Sequence, residues 1–201
     1  MTVTFGVGIR EDLSARVVQQ AARISACEIT GVTDVVPAYA ALGVYYDPLA
    51  ISFADLRDRL LSILEEPSAL PEAGADSILH TISVSYDGED LEDVAKKTGL
   101  APDDVIRIHS ETEYRVYVIG FVPGFAYLGT LDERLALPRR DSPRKRVPPG
   151  SVAIADRQTG IYPSATPGGW HLIGTTSEKL FDPARASPSL LKVGDRVKFH
   201  P

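Results

Sequence analysis

Between Gly120 and Gly174 the chain is punctuated by glycine and proline so often that no helix of ordinary length fits there. Short β-prone runs fill the spaces: Tyr114 to Phe121, Ser151 to Ile154 and Trp170 to Thr175, with Arg196 to Phe199 further on. This spacing predicts a barrel or sandwich of short strands. Aromatic residues (Phe121, Phe125, Tyr127, Tyr162, Trp170) are interleaved throughout, a composition that suits rigid loops framing a binding site. Packing inside the barrel is the competing explanation for each ring taken alone.

Upstream the pattern alternates between helix and strand. Thr2 to Val7 reads as a strand, and Leu13, Val17, Ala21 and Ile24 repeat at helical spacing behind Asp12, the expected N-cap. Val32 to Val36 and Ala40 to Tyr46 read as two strands separated by Pro37. A second helix starts at a capping box, Ser52 and Asp55, carries Phe53, Leu56, Leu60, Ile63 and Leu64 on one face, and stops at Pro67. A loop to Ala75 leads to a last strand, Ile78 to Val84. The order βαββαβ predicts a ferredoxin-like α+β domain over residues 1–84. The remaining residues, 85–201, are expected to form the β domain, opened by two short helices that meet at Gly99 and Pro102. That helix pair has the spacing of a helix-turn-helix, but Asp103, Asp104 and Glu111 would repel a phosphate backbone, so no nucleic-acid partner is expected.

Several functions are disfavoured by what is missing. There is no G-x-S-x-G or H-E-x-x-H motif, and His80, His109, His171 and His200 are scattered. A single cysteine, Cys27, read as a buried or half-buried filler, rules out an internal disulfide and a multi-cysteine zinc site; no metal site is expected. Gly124 to Thr130 is a near miss for a phosphate loop because no lysine follows its second glycine, and it reads as a turn. No apolar run approaches the ~20 residues of a membrane span, so a cytoplasmic protein without a membrane partner is expected.

Charge supplies the sharpest local signal. Arg139, Arg140, Arg144, Lys145 and Arg146 against Asp141 give +4 over eight residues of a chain whose net charge is −6, leaving −10 for the rest. Arginine forks bind carboxylate or phosphate in bidentate fashion, so this run could hold an acidic substrate, a nucleotide phosphate or an acidic partner surface. From charge alone, a solvated loop is equally open.

Long, ordered motifs along the chain carry a resemblance: VVPAYAALGVYYDPLAISFADL, TGLAPDDVIRIH, GFVPGFAYLG, PRRDSPRKRVPPGSVAIADRQTGIYP, TPGGWHLIGTT and VGDRVKF. They resemble the family that includes the kinase inhibitor KipI, allophanate hydrolase subunit 1 and the 5-oxoprolinase subunit PxpB. The resemblance implies a ferredoxin-like domain followed by a cyclophilin-like β-barrel. It also implies a homologous second subunit of the allophanate hydrolase subunit 2 or PxpC type, with room for a third, and a small-molecule amide substrate. ATP, with magnesium, would be bound in the complex rather than by this chain alone. A regulatory module that inhibits a sensor histidine kinase, as KipI does, is the alternative.

An unactivated amide is a poor electrophile, so ATP-driven hydrolysis needs fixed donors for developing negative charge. On this reading Arg144 and Arg146 meet phosphate or carboxylate, Gly124, Gly168 and Gly169 allow close backbone approach, and Tyr127 and Trp170 line the substrate site. His109, Gln158, Thr159 and Tyr162 are the polar candidates for orienting substrate or water, with His109 equally readable as a satisfied helix-end histidine. Two departures from the family stand out. Tyr86 to Leu91 is shorter than the glycine-rich turn common in relatives, and Asp156 replaces a common glycine.

Overall fold

Alternating burial in Ala41–Tyr46 explains the first sheet: Leu42 and Val44 are inaccessible to solvent while Tyr45 is exposed. A computed structural model describes residues 1–65 and 77–201, and the chain divides into two units, Met1–Ser77 and Ile78–Pro201. The first holds β1 (Thr2–Thr4), α1 (Glu11–Ala26), β2 (Val32–Ala38), β3 (Ala41–Tyr46) and α2 (Phe53–Glu65). The strands form an antiparallel sheet in the order β1-β3-β2. Val17, Ala21 and Ile24 of α1 and Leu56, Leu60 and Ile63 of α2 pack with Leu42 and Val44 as one core. The capping box forms as expected: Asp55 N–H donates to Ser52 Oγ at 3.2 Å, and that hydroxyl donates to Asp55 Oδ2 at 2.6 Å.

Three local expectations change. Asp12 lies inside α1, whose N-cap is Arg10, and pairs with the Arg10 side chain at 2.6 Å. Pro37 does not separate the strands but sits within β2, an edge strand where a missing N–H is tolerated; the chain turns at Tyr39, in the left-handed region with φ 48°. Cys27 is exposed at the C-terminus of α1, not a filler. The stop at Pro67 and the loop to Ala75 lie outside the described residues.

The ferredoxin-like order is met only as far as βαββα. The expected fourth strand, β4 (Leu79–Ser83), instead runs parallel to β12 (Arg196–His200) through five successive pairs, from Leu79 opposite Arg196 to Ser83 opposite His200. Its buried residue Ile82 joins Phe199 in the second core, which moves the boundary from Val84 to Ser77. Alternation alone identifies a strand but not its partner.

The second unit continues with α3 (Leu91–Thr98), α4 (Pro102–Glu111), β5 (Glu113–Ile119), β6 (Ala126–Gly129), β7 (Arg144–Val147), β8 (Ser151–Ala155), β9 (Gln158–Ile161), β10 (Thr166–Gly168) and β11 (His171–Thr175). Seven strands pair in the order β11-β8-β9-β6-β5-β12-β4, and β7 with β10 forms a separate ribbon. The sheet curls into a half-barrel until its edges touch: Ser85 and Thr175 exchange two backbone hydrogen bonds of 2.8 and 2.7 Å. Val94 of α3 and Val105 and Ile108 of α4 pack into its core with Tyr114, Leu128, Ile154, Val197 and Phe199. Both helices thus turn their apolar faces into this core.

Candidate functional site

The period of two that builds the sheet also sorts its side chains onto two faces. In β8, Val152 and Ile154 join the helix-side core, whereas Ala153 and Ala155 join a second cluster with Phe125, Val147, Tyr162, Trp170 and Leu172. Register carries the sorting into β9: Thr159 opposes Ile154 on the helix side, and Gln158 and Gly160 oppose Ala155 and Ala153 on the aromatic side. Gly160 admits the rings, because a Cβ there would lie 3.2 Å from Phe125 and 3.3 Å from Trp170.

Phe125 is the hub of this aromatic face. Its ring meets Tyr127, Tyr162 and Trp170 edge-on at centroid distances of 4.8, 5.3 and 5.7 Å, and Tyr127 meets Trp170 at 5.8 Å. Burial raises the pKa of both phenols, so Tyr127 and Tyr162 are O–H donors at neutral pH, while the nearby Arg139 guanidinium partly opposes that shift in each. Phe125, Tyr162 and Trp170 are buried and pack against one another, so this face opens to solvent through the half-buried Tyr127 and the exposed Phe121.

The basic run divides into held and free cations. Arg144 is tied down: its Nη2 donates to Asp90 Oδ1 at 2.8 Å, its Nε lies 2.7 Å from Glu89 Oε1, and its Nη1 reaches the Trp170 carbonyl at 3.5 Å. Burial works against its charge and is outweighed by Asp90 and Glu89. Arg140 Nη1 donates to the same Asp90 oxygen at 2.7 Å. Arg139, Lys145 and Arg146 are exposed and form no ion pair among the described residues. Of the two arginines expected to meet a ligand, then, Arg144 is occupied by carboxylates of its own chain, and Arg146 is a solvated cation.

The glycines also serve the chain itself. A Cβ on Gly124 would lie 2.6 Å from that of Phe181, and one on Gly168 would collide with the Tyr162 hydroxyl; Gly169 makes only ordinary contacts with Pro143 and Arg140. Gly124 lies in the turn closed by Phe125 N–H to the Val122 carbonyl at 3.1 Å, and the rest of the phosphate-loop near miss, expected to be a turn, is instead paired strand in β6. The four polar candidates are likewise split. Tyr162 and Gln158 share the aromatic face, whereas His109 and Thr159 lie on the helix side, joined to each other through a 2.8 Å hydrogen bond.

Asp90 was not among the sequence candidates. It reads as a helix N-cap, which it is for α3, and nothing linear connects it to arginines 50 and 54 residues away. Asp156 shows why glycine suits its position: φ is 51°, in the left-handed region that glycine occupies freely. Among the described residues no group of His, Cys, Asp and Glu side chains could hold a metal ion, and no helix is long and apolar enough to cross a membrane.

The family model for the carboxyltransferase domain, subdomain C and D, matches residues 1–191. The B subunit of 5-oxoprolinase from Bacillus subtilis (strain 168) is 42% identical over 216 residues, covering 99% of this chain and 88% of that protein. The crystal structure of TTHA0988 is similar along the whole chain, with a TM-score of 0.88 at 41% identity; the chain spans 39% of that longer protein. The urea amidolyase of K. lactis shares the fold at 18% identity, with a TM-score of 0.78 over the whole chain and 14% of its own length.

Proposed function

Because the chain belongs to the carboxyltransferase-domain family, subdomains C and D, and is 42% identical over 99% of its length to a B subunit of 5-oxoprolinase, we propose that it is one subunit of an ATP-dependent amide hydrolase of the 5-oxoprolinase type. One observation carries the assignment of its site: two protonated phenols, Tyr127 and Tyr162, beside the unpaired Arg139 on a wall made by Phe125 and Trp170. The accessible edge of this cluster, at Tyr127 and Arg139, suits a small ring with an amide and a carboxylate. The apolar wall accepts ring methylenes, Arg139 pairs with the carboxylate, and the phenolic O–H groups donate to the amide oxygen as it gains negative charge. Gln158, which shares this face by register, is the group we assign to orient the substrate amide or the attacking water.

When bound, ATP would supply phosphoryl activation of the amide oxygen with release of ADP, and hydrolysis of the C–N bond by water would release inorganic phosphate. The Gly124 to Thr130 segment runs into paired strand and offers no phosphate cradle, so we assign ATP, with magnesium, to the assembled complex rather than to this chain alone.

The test is to co-purify the chain with the homologous second subunit and follow ATP-dependent glutamate release from 5-oxoproline, with allophanate as the linear-amide control. Turnover is expected only with both subunits and ATP. Turnover by the chain alone would overturn the subunit role. An inactive complex, combined with tight binding of the chain to a sensor histidine kinase, would return it to the regulator alternative.

A further inference from the structure

Asp90 is 4% exposed, and its carboxylate is fully engaged: Oδ1 accepts from Arg140 at 2.7 Å and Arg144 at 2.8 Å, and Oδ2 accepts from the Leu172 amide at 2.7 Å. Its own amide donates to the Leu172 carbonyl at 2.9 Å, which fixes the start of α3 against β11. Residues 138 to 140 run beside residues 169 to 171, because His171 Nε2 donates to the Pro138 carbonyl at 2.9 Å and Arg140 N–H to the Gly169 carbonyl at 2.8 Å. Arg139 therefore passes Trp170 between these two ties. Arg140 turns its side chain to Asp90, whereas the charge of Arg139 is felt at the Tyr127 and Tyr162 hydroxyls, and that of the carboxylate-paired Arg144 at Tyr162.

Counting charge in this neighbourhood, Arg139, Arg140 and Arg144 give +3, Asp90 and Glu89 give −2, and the sum is +1. Both carboxylates are needed for that balance: Glu89 pairs with Arg144 at 2.7 Å from the exposed side, and the buried Asp90 joins Arg140 and Arg144. We propose that Asp90 sets the ligand specificity of the aromatic site: by holding Arg140 and Arg144 it leaves Arg139 as the one uncompensated guanidinium there, so the site takes a small singly charged carboxylate in preference to a dianion. This rests on the reading of that face as the substrate site. Arg140 keeps 31% of its side-chain surface exposed, so loss of the carboxylate would leave it able to turn toward a ligand, while Arg144 stays with Glu89 and the Trp170 carbonyl.

The experiment measures binding of propionate, succinate and inorganic phosphate to the assembled complex by calorimetry at pH 7.5. Wild type is expected to prefer propionate. Asp90→Asn, which can still accept the Leu172 amide bond, is expected to move the succinate-to-propionate affinity ratio by ~10-fold or more toward succinate, and Asp90→Glu to retain the wild-type ratio. An unchanged ratio in a folded D90N complex overturns the inference. Should D90N fail to fold, Arg140→Gln and Arg144→Gln provide the check: each leaves Arg139 in place and is expected to hold the ratio within about threefold. A tenfold shift in either would mean that these guanidiniums already meet the ligand, and also overturns it. Arg139→Gln separates the two levels of the argument: it is expected to abolish carboxylate binding with an unchanged melting temperature. If it leaves binding intact, the site reading itself fails; if it abolishes binding while D90N keeps the ratio, only the role of Asp90 fails.

Discussion

His109 Nε2 lies 2.8 Å from Thr159 Oγ1 at a position with no solvent exposure, and its Nδ1 lies 2.8 Å from the Tyr86 hydroxyl. The Thr159 hydroxyl donates to the Ala153 carbonyl at 3.0 Å, so it accepts from Nε2–H, and Nδ1 must then accept from Tyr86. The imidazole is neutral and satisfied at both nitrogens, and it stacks on Phe199 at 4.6 Å. This bonding and burial make it a core histidine and keep it away from the aromatic face.

Burial lowers the pKa of His109 from 6.5 to about 3. Between those values the unfolded chain binds a proton that the folded chain refuses. The stability of the second unit therefore falls as pH drops through this window, by up to about 1.4 kcal/mol per unit from this group, and the loss is absent above pH 6.5. His109→Gln should be less stable than wild type at pH 7, with the gap closing toward pH 4. Urea midpoints read by Trp170 fluorescence check this; parallel pH profiles for the two proteins would contradict a buried neutral imidazole.

Arg144 and Arg146, two residues apart on β7, should respond oppositely to truncation. Arg144→Ala leaves the buried Asp90 carboxylate with Arg140 and the Leu172 amide alone, a loss of about 2–3 kcal/mol. Arg146→Ala removes a solvated cation and should stay within about 0.5 kcal/mol. Thermal unfolding of both variants decides it, and equal melting temperatures would remove the structural role assigned to Arg144.

Several local signals in the sequence were accurate, although Asp12 as a cap and Pro37 as a strand break were not. Ser52 and Asp55 form their cap, Gly99 ends α3 at φ 72°, and Pro102 opens α4. Partners far along the chain were not legible. Ile78 to Val84 has the alternation of a strand, but nothing in it distinguishes β1 from β12 as a neighbour. The basic run was recognised as a unit, yet its division into held and free arginines depends on Asp90, which comes 50 residues earlier. The aromatic face could be half-anticipated: GFAY and GGW announce rings, but only register puts Phe125, Tyr127, Tyr162 and Trp170 together.

Gly88 and Gly99 make a matched contrast. A Cβ on Gly88 would collide with backbone atoms of Leu172, Ile173 and Gly174, which cannot yield without opening the contact that closes the half-barrel. One on Gly99 meets open space, and only its left-handed φ opposes substitution. Gly88→Ala should therefore cost about 3 kcal/mol or more and Gly99→Ala about 1–2 kcal/mol. Denaturant midpoints of the two variants test the order; a milder Gly88→Ala would mean that the Tyr86 to Leu91 segment is not pressed against β11.

Phe121 combines two features that rarely coincide: its side chain is 60% exposed, and its backbone is left-handed at φ 72°. Its ring meets Phe125 edge-on at 5.6 Å, a contact of about 0.5–1.5 kcal/mol set against a backbone penalty of about 1–2 kcal/mol. Glycine at this position loses the ring contact but escapes the penalty, whereas alanine loses the contact and keeps it. Phe121→Gly should accordingly remain within about 1 kcal/mol of wild type and be more stable than Phe121→Ala, the reverse of the usual preference for alanine over glycine. Chemical unfolding of the two variants reads this directly. If alanine proves the better replacement, the turn must relax out of the left-handed region in solution, and the presentation of Phe121 at the rim of the aromatic face would not be held by the backbone.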